Sequence, residues 1–111
     1  MRILEFDVGQ QRLMKNKNCD FSGLVSGTEG YLYAKFNFSN DWDGCKKIVS
    51  FWTVDVESLQ TNEYAVYLDD DDSCAIVPEV LLLERFYISI IGTKPGYKIT
   101  TNKLRIEQEN D

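Results

Sequence analysis

Hydrophobic and polar residues alternate along several short segments of the chain, and this period of two predicts half-buried β-strands. The clearest case is the segment from Tyr31 to Phe38. Its apolar face carries Leu32, Ala34, Phe36 and Phe38, and its other face carries Tyr31, Tyr33, Lys35 and Asn37. A second strand is expected after Gly44, with Phe51 among its apolar residues. We expect these two strands and their connection to form the centre of the domain.

Further alternating or apolar segments complete an all-β pattern. The opening segment 3–8 should place Leu4, Phe6 and Val8 inward, and segments 63–68 and 74–77, separated by a polar tip, predict a hairpin. Later strands are expected at 86–91 and 97–106, the last with a bend near Asn102. The whole chain, residues 1–111, is therefore predicted to be one antiparallel β-sandwich of seven or eight short strands.

Two structural exclusions accompany this fold class. A parallel sheet is not expected, because no connection is long enough for a crossover helix. Helix is expected in at most one short turn within 78–85, which begins with Pro78. The predicted core consists of Phe6, Leu32, Phe36, Phe38, Val49, Phe51, Val66, Leu68, Ile88 and Ile90.

Trp42 lies in the polar connection between the two central strands. We expect its indole to fold back over the end of the core, with its N–H bonded to a nearby carbonyl. The alternative is a sugar site, in which Trp42 is the aromatic platform and the flanking Asp41 and Asp43 bind hydroxyls. The first interpretation is preferred, because both aspartates also suit the turn.

Composition and charge exclude several classes of partner. The formal net charge is −6, and the basic residues are scattered, which argues against a nucleic-acid-binding face. No apolar run reaches the ~18 residues of a membrane span. The N-terminal segment MRILEFDV lacks the apolar stretch of a signal peptide, so we expect folding in the cytoplasm of the producing cell.

The residues offer little support for catalysis or for a cofactor. There is no histidine, no nucleophile motif and no glycine-rich phosphate loop, so the chain is expected not to be an enzyme. The three cysteines are widely spaced and are expected to be free thiols. Asp69–Asp72 is predicted to be a solvated turn, because consecutive carboxylates without a following glycine do not form a calcium loop. We expect no metal and no cofactor.

A group of residues distributed from about residue 31 to 106 carries a family resemblance. These residues are Tyr33, Ala34, Phe36, Phe38, Ser39, Trp42, Gly44, Val49, Phe51, Cys74, Val77, Pro78, Glu79, Val80, Thr100, Thr101 and Asn102. In their order and spacing, the chain resembles small tail-associated or orphan structural proteins of siphophages that infect Gram-positive bacteria such as Bacillus. The fold of those proteins is similar to the β-sandwich shoulder domain of lactococcal phage receptor-binding proteins.

The resemblance implies a virion module that docks on other tail or baseplate proteins, and it implies no active site. Because the chain ends soon after the last strand, no receptor-binding head is expected, and adsorption activity is not carried over. The candidate interaction surface consists of Tyr31, Tyr33, Lys35, Tyr67 and Trp42. Two alternatives remain open: a module that binds host cell-wall glycans through Trp42 and the tyrosines, and an early non-virion protein that binds a host factor.

Overall fold

A computed structural model describes residues 1–110 of the chain, and within these residues the regular structure is almost entirely β. The strands are β1 (Arg2–Gly9), β2 (Arg12–Lys15), β3 (Leu32–Phe38), β4 (Lys46–Val54), β5 (Thr61–Tyr67), β6 (Ser73–Ala75), β7 (Arg85–Lys94), β8 (Tyr97–Thr100) and β9 (Leu104–Glu107). Two short 3-10 turns, Asn40–Trp42 and Val80–Leu82, interrupt them. The second turn falls in the segment expected to be helical, whereas the first was not predicted.

The strands form two sheets that face each other across one core. The first sheet has the order β2-β1-β3-β6. The second has the order β5-β4-β7-β8, and β9 also pairs with β7. This arrangement confirms the predicted all-β sandwich, with nine strands in the described residues in place of the seven or eight expected.

One pair of strands runs parallel, which the sequence argument did not anticipate. β1 pairs with β3 in parallel from Arg2↔Leu32 to Val8↔Phe38, while the remaining pairs are antiparallel. Neither sheet is a parallel sheet, but the argument from the missing crossover helix does not hold for this pair. Here β2 reverses the chain, and the irregular segment 16–31 returns it to the starting end of β1. Leu24 anchors that segment in the core.

The segments on either side of Asp69–Asp72 do not form the predicted hairpin. β5 pairs with β4 in the second sheet, whereas β6 pairs with β3 in the first. The acidic turn therefore carries the chain from one sheet to the other. This crossing allows Leu68 and Cys74 to contact the core from opposite layers, which a hairpin within one sheet would not permit.

The core contains most of the residues that alternation predicted. Of the ten, seven are buried, and Phe38, Val66 and Leu68 are half-buried and pack against the others. The Phe6 and Phe36 rings stack with their centroids 5.2 Å apart. The core also takes in residues outside the clear alternating segments, namely Leu13, Leu24, Leu81 and Ile106.

Trp42 closes one end of this core, as expected. Its side chain is fully buried, and its Nε1–H donates to the carbonyl of Gln10 at 2.7 Å. The ring packs beside Phe38, with the centroids 5.2 Å apart, and against the backbone of Gly92. A Cβ on residue 92 would lie only 2.7 Å from a carbon of the indole, so glycine is required there by contact distance.

Candidate interaction surface

The outward face of the first sheet carries part of the predicted surface. β1 and β3 are in register, with Ile3 beside Tyr33, Glu5 beside Lys35 and Asp7 beside Asn37. Because side chains alternate across a strand, Tyr33 and Lys35 lie on the same outward face as these β1 residues. We refer to Ile3, Glu5, Asp7, Tyr33, Lys35 and Asn37 together as the first-sheet face.

Polar side chains on this face are bound to one another. Asn37 Nδ2 donates to Glu5 Oε2 at 2.8 Å and to Asp7 Oδ1 at 3.1 Å. Asn16, just after β2, donates to both carboxylate oxygens of Asp7, at 3.0 and 3.3 Å. The pKa of Asp7 is lowered mainly by the hydrogen bond from Asn16 and then by that from Asn37, since both stabilise the charged form. The carboxylates of Glu5 and Asp7 are thus held in fixed positions by hydrogen bonds.

A shallow hollow of about 360 Å³ lies beside this network, between the first-sheet face and the acidic turn. Tyr33, Lys35 and Ile3 line one side, and Asp71 and Ser73 line the other. The ammonium group of Lys35 donates to the main-chain carbonyl of Asp71. Lys35 therefore connects β3 to the turn that crosses between the sheets.

Tyr31 extends this surface at the start of β3. It precedes the strand, its side chain is exposed, and its carbonyl accepts a hydrogen bond from the amide of Arg2 at 2.8 Å. The structure therefore places three of the five predicted surface residues together: Tyr33 and Lys35 in β3, and Tyr31 directly before it.

The other two predicted residues lie elsewhere, and one of them cannot contribute to a surface. Trp42 is fully buried, because its indole fills the end of the core. Tyr67 is 65% exposed, but it belongs to β5 and projects from the outer face of the second sheet. Tyr67 therefore does not share a face with Tyr33, because the acidic turn places β5 and β6 in different sheets.

Sequence reasoning missed a second group of aromatic residues, on the outer face of the second sheet. Trp52 Nε1–H donates to Ser89 Oγ at 2.9 Å, and Lys103 Nζ lies 3.8 Å from the centroid of the Trp52 ring. Tyr87 is the cross-strand neighbour of Trp52. The alternation of β4 carries the signal for this face, but only the pairing with β7 shows that Trp52 and Tyr87 are adjacent.

The acidic turn is organised by hydrogen bonds and one ion pair. Ser73 Oγ donates to Asp71 Oδ1 at 2.6 Å, and Lys47 Nζ lies 3.2 Å from Asp72 Oδ1. Within residues 1–110, histidine, cysteine and acidic side chains form no group of three or more placed to hold a metal ion. Over the same residues, no helix has the length and apolar character needed to span a membrane.

Comparisons with known proteins add no relative. The chain matches no protein-family model, and no curated protein matches it.

Proposed function

We propose that the protein is a non-enzymatic docking module of a bacteriophage tail or baseplate, and that it contacts other virion proteins through the first-sheet face and Tyr31. The observation that carries the proposal is the fixed polar network of Glu5, Asp7 and Asn37 beside Tyr33 and Lys35. A surface with pre-positioned polar groups loses little side-chain entropy when a partner binds. Tyrosine is also enriched at protein interfaces.

The resemblance to small siphophage tail proteins supplies the biological context of the proposal. Several of its matching residues have a role in this fold. Ser39 Oγ accepts a hydrogen bond from the amide of Gln10 at 3.0 Å, Gly44 has a φ of +76°, and Thr101 Oγ1 accepts from the amide of Ile90 at 2.9 Å. Residues of this kind support a shared fold and assign no chemistry, which agrees with a module that acts by contact.

Immunogold labelling of purified phage particles tests this function directly. Antibody against the chain should label the tail or baseplate, at several copies per particle if the module is repeated around the tail axis. Protein that is abundant in infected cells but absent from every part of the particle would contradict the proposal and favour the host-factor alternative.

Substitutions then test the surface. Lys35→Glu and Tyr33→Ala should reduce incorporation into particles, because they alter the first-sheet face while the buried side of β3 is unchanged. Lys98→Glu is the matched control, since it makes the same charge reversal as Lys35→Glu at an exposed position of β8, in the other sheet. Equal incorporation of all three variants would exclude the first-sheet face as the docking surface, whatever the labelling shows.

The glycan-binding alternative has lost one of its supports. It relied on Trp42 as an aromatic platform, and that side chain is inside the core. Only the exposed tyrosines remain for this hypothesis. Co-sedimentation of the purified protein with host cell walls distinguishes it, because a docking module should stay in the supernatant.

A further inference from the structure

The strand β5 forms one edge of the second sheet. It pairs along its seven residues with β4, from Thr61↔Val54 to Tyr67↔Ile48. On its other side, no strand in residues 1–110 pairs with it. Unpaired main-chain donors and acceptors on such an edge are a template for another strand.

The hydrogen bonds at the two ends of β5 show which main-chain groups point outward. The amide of Leu68 donates to the carbonyl of Lys47 at 3.3 Å, and the amide of Asp55 donates to the carbonyl of Gln60 at 2.9 Å. Because bonded pairs alternate in an antiparallel ladder, the even-numbered residues of this segment face β4. The amides and carbonyls that point away from the sheet belong to Thr61, Glu63, Ala65 and Tyr67.

This edge lacks the features that usually prevent strand addition. β5 contains no lysine and no proline, and its pairing with β4 runs without a bulge. Its one charged side chain, Glu63, accepts a hydrogen bond from Ser50 Oγ at 2.5 Å, so the carboxylate is held over the sheet. The half-buried side chains of Tyr64 and Val66 on the inner face would be covered further by an added strand.

The other edges of the sandwich are less open. β2, at the far side, is bridged to the second sheet by the side chain of Asn102, which bonds the main chain of Leu13. β6, on the same side as β5, is only three residues long. At the other edge of the second sheet, β8 and β9 both pair with β7, and each is only four residues long. Among the edges in the described residues, β5 therefore offers the longest unprotected run.

Both ends of β5 are acidic. Asp55 and Glu57 precede it, and Asp69 and Asp70 follow it, all exposed. Two cations, Lys46 and Lys47, line a second hollow together with Tyr67. Lys47 is paired with Asp72. A bound strand would therefore meet a negative potential at each end, which lysine or arginine residues would complement.

We propose that the free edge of β5 binds an extended segment of a partner protein, with alternating apolar residues at its centre and lysine or arginine residues at both ends. The inference rests on the proposed docking function and names a second point of contact, on the sheet opposite the first-sheet face. Main-chain hydrogen bonds supply the affinity in this mode of recognition, and the charges select the partner.

A second copy of the chain is a less suitable occupant. Twofold antiparallel pairing through the outward groups would centre on Tyr64. It would bring Asp69 and Asp70 of one copy towards the turn 55–60 of the other, which carries Asp55 and Glu57, and like charges brought together oppose association. The net charge of −6 acts in the same direction.

The test uses the full chain, labelled with ¹⁵N, and a synthetic peptide of alternating valine and threonine with two lysines at each end. Binding should slow amide hydrogen exchange at Glu63, Ala65 and Tyr67 and leave Tyr64 and Val66 little changed, because the latter two are already bonded to β4. A peptide with alternate amides N-methylated, and one with glutamates in place of the lysines, should each bind at least about tenfold more weakly.

Two proline variants provide a matched pair. Ala65→Pro removes an outward-pointing amide from β5 and should weaken peptide binding at least about tenfold, because proline is tolerated at such edge positions but blocks pairing. Ala75→Pro makes the same change in β6. The amide of Ile76 donates to the carbonyl of Leu32, and the amide of Phe36 donates to the carbonyl of Asp72. The even-numbered residues of this segment therefore face β3, and the amide of Ala75 points outward. The peptide affinity of Ala75→Pro should equal that of the unmodified chain.

Several results would overturn the proposal. One is protection from exchange that does not alternate between odd and even residues along β5. Another is that the N-methylated peptide binds as tightly as the unmethylated one. The third is that the protein sediments as a dimer that Ala65→Pro dissociates. The N-methylated peptide decides the question even if Ala65→Pro does not fold. Particle labelling is independent of these assays, so failure of the peptide test leaves the docking function itself to be judged by immunogold.

Discussion

The side-chain amide of Asn102 pairs with the main chain of Leu13 through both of its polar ends. Its Oδ1 accepts from the Leu13 amide at 2.7 Å, and its Nδ2 donates to the Leu13 carbonyl at 3.3 Å. Leu13 is in β2 at the edge of the first sheet, and Asn102 lies in the bend between β8 and β9 of the second. The Asn102 side chain thus bonds the main-chain groups of Leu13 that a neighbouring strand would otherwise bond, and it links the two sheets at this side.

Asn102→Ala should destabilise the fold by about 1–3 kcal/mol, because it leaves a part-buried donor and acceptor of Leu13 without partners. Denaturant unfolding measures the change. Asn62→Ala, at an exposed position of β5, is the control and should have little effect. Equal stability of the two variants would show that water replaces the Asn102 amide at no cost.

Gly92→Ala should lower the free energy of unfolding strongly, although it adds only one methyl group. The added Cβ would lie 2.7 and 2.9 Å from two ring carbons of Trp42, so the buried indole must shift. Overpacking of this kind typically costs about 1–3 kcal/mol. Thermal unfolding and the combined fluorescence of Trp42 and Trp52 report the change. Gly9→Ala, where the added atom meets nothing within 4 Å, should be nearly neutral, and a similar loss there would contradict the packing argument.

Phe36→Ala should cost about 3–5 kcal/mol, since it removes a buried ring from the centre of the core. Phe36 is 1% exposed and stacks on Phe6. Tyr33, three residues earlier in β3 and on the outward face, is the comparison. Tyr33→Ala should lower the free energy of unfolding clearly less than Phe36→Ala does. A midpoint shift of only about one or two degrees for Phe36→Ala would mean that this core position does not carry the expected share of stability.

The titration of Asp7 should respond to its two amide partners in a defined order. Its pKa is below the usual value of 3.8 because Asn16 and then Asn37 stabilise the carboxylate. Since the pKa is depressed in the folded state, the associated stability is present above 3.8 and is lost as the pH falls through the folded value. Asn16→Ala should raise the pKa of Asp7 more than Asn37→Ala does. Carbon-detected NMR titration of the carboxyl group measures both, and the reverse order would contradict the assignment.

The three thiols should differ sharply in reactivity. Burial, and secondarily the charge of Asp69, raises the pKa of Cys74 from 9.0 to about 12, whereas Cys19 and Cys45 are half-exposed. A maleimide at neutral pH should modify Cys19 and Cys45 in the native protein and Cys74 only after unfolding, as followed by mass spectrometry. The stability linked to Cys74 is complete below pH 9.0 and declines as the pH rises towards about 12. Modification of Cys74 at the rate of Cys45 would contradict its burial.

Much of the strand content could be predicted from the sequence, because alternation is a local property. The inward side chains of β1 and β3 follow from the period of two, and so does the outward position of Tyr33 and Lys35. The placement of Trp42 could also be predicted, since an indole in a short polar connection is most stable against the core with its N–H bonded.

The partners of each strand could not be predicted in the same way. Main-chain hydrogen bonds are alike for nearly all residues, so alternation does not say which strand pairs with which, or in what direction. For this reason the parallel pairing of β1 with β3, and the separation of β5 from β6, appear only in the folded chain. The candidate surface depends on both features. Asp7 and Asn37 are neighbours because β1 pairs with β3. Tyr67 does not share a face with Tyr33, because β5 belongs to the other sheet.

The amino-acid sequence by itself thus determined the all-β class, the buried face of each main strand and the inward-folded Trp42. The tertiary structure alone decided how the strands are ordered, where the two sheets are tied by Asn102, and which edge is left open at β5. The physical reason is the range of the interactions. The burial pattern of a strand depends on residues that are close together in the sequence. The bond between Leu13 and Asn102 joins positions 89 residues apart and depends on the whole fold.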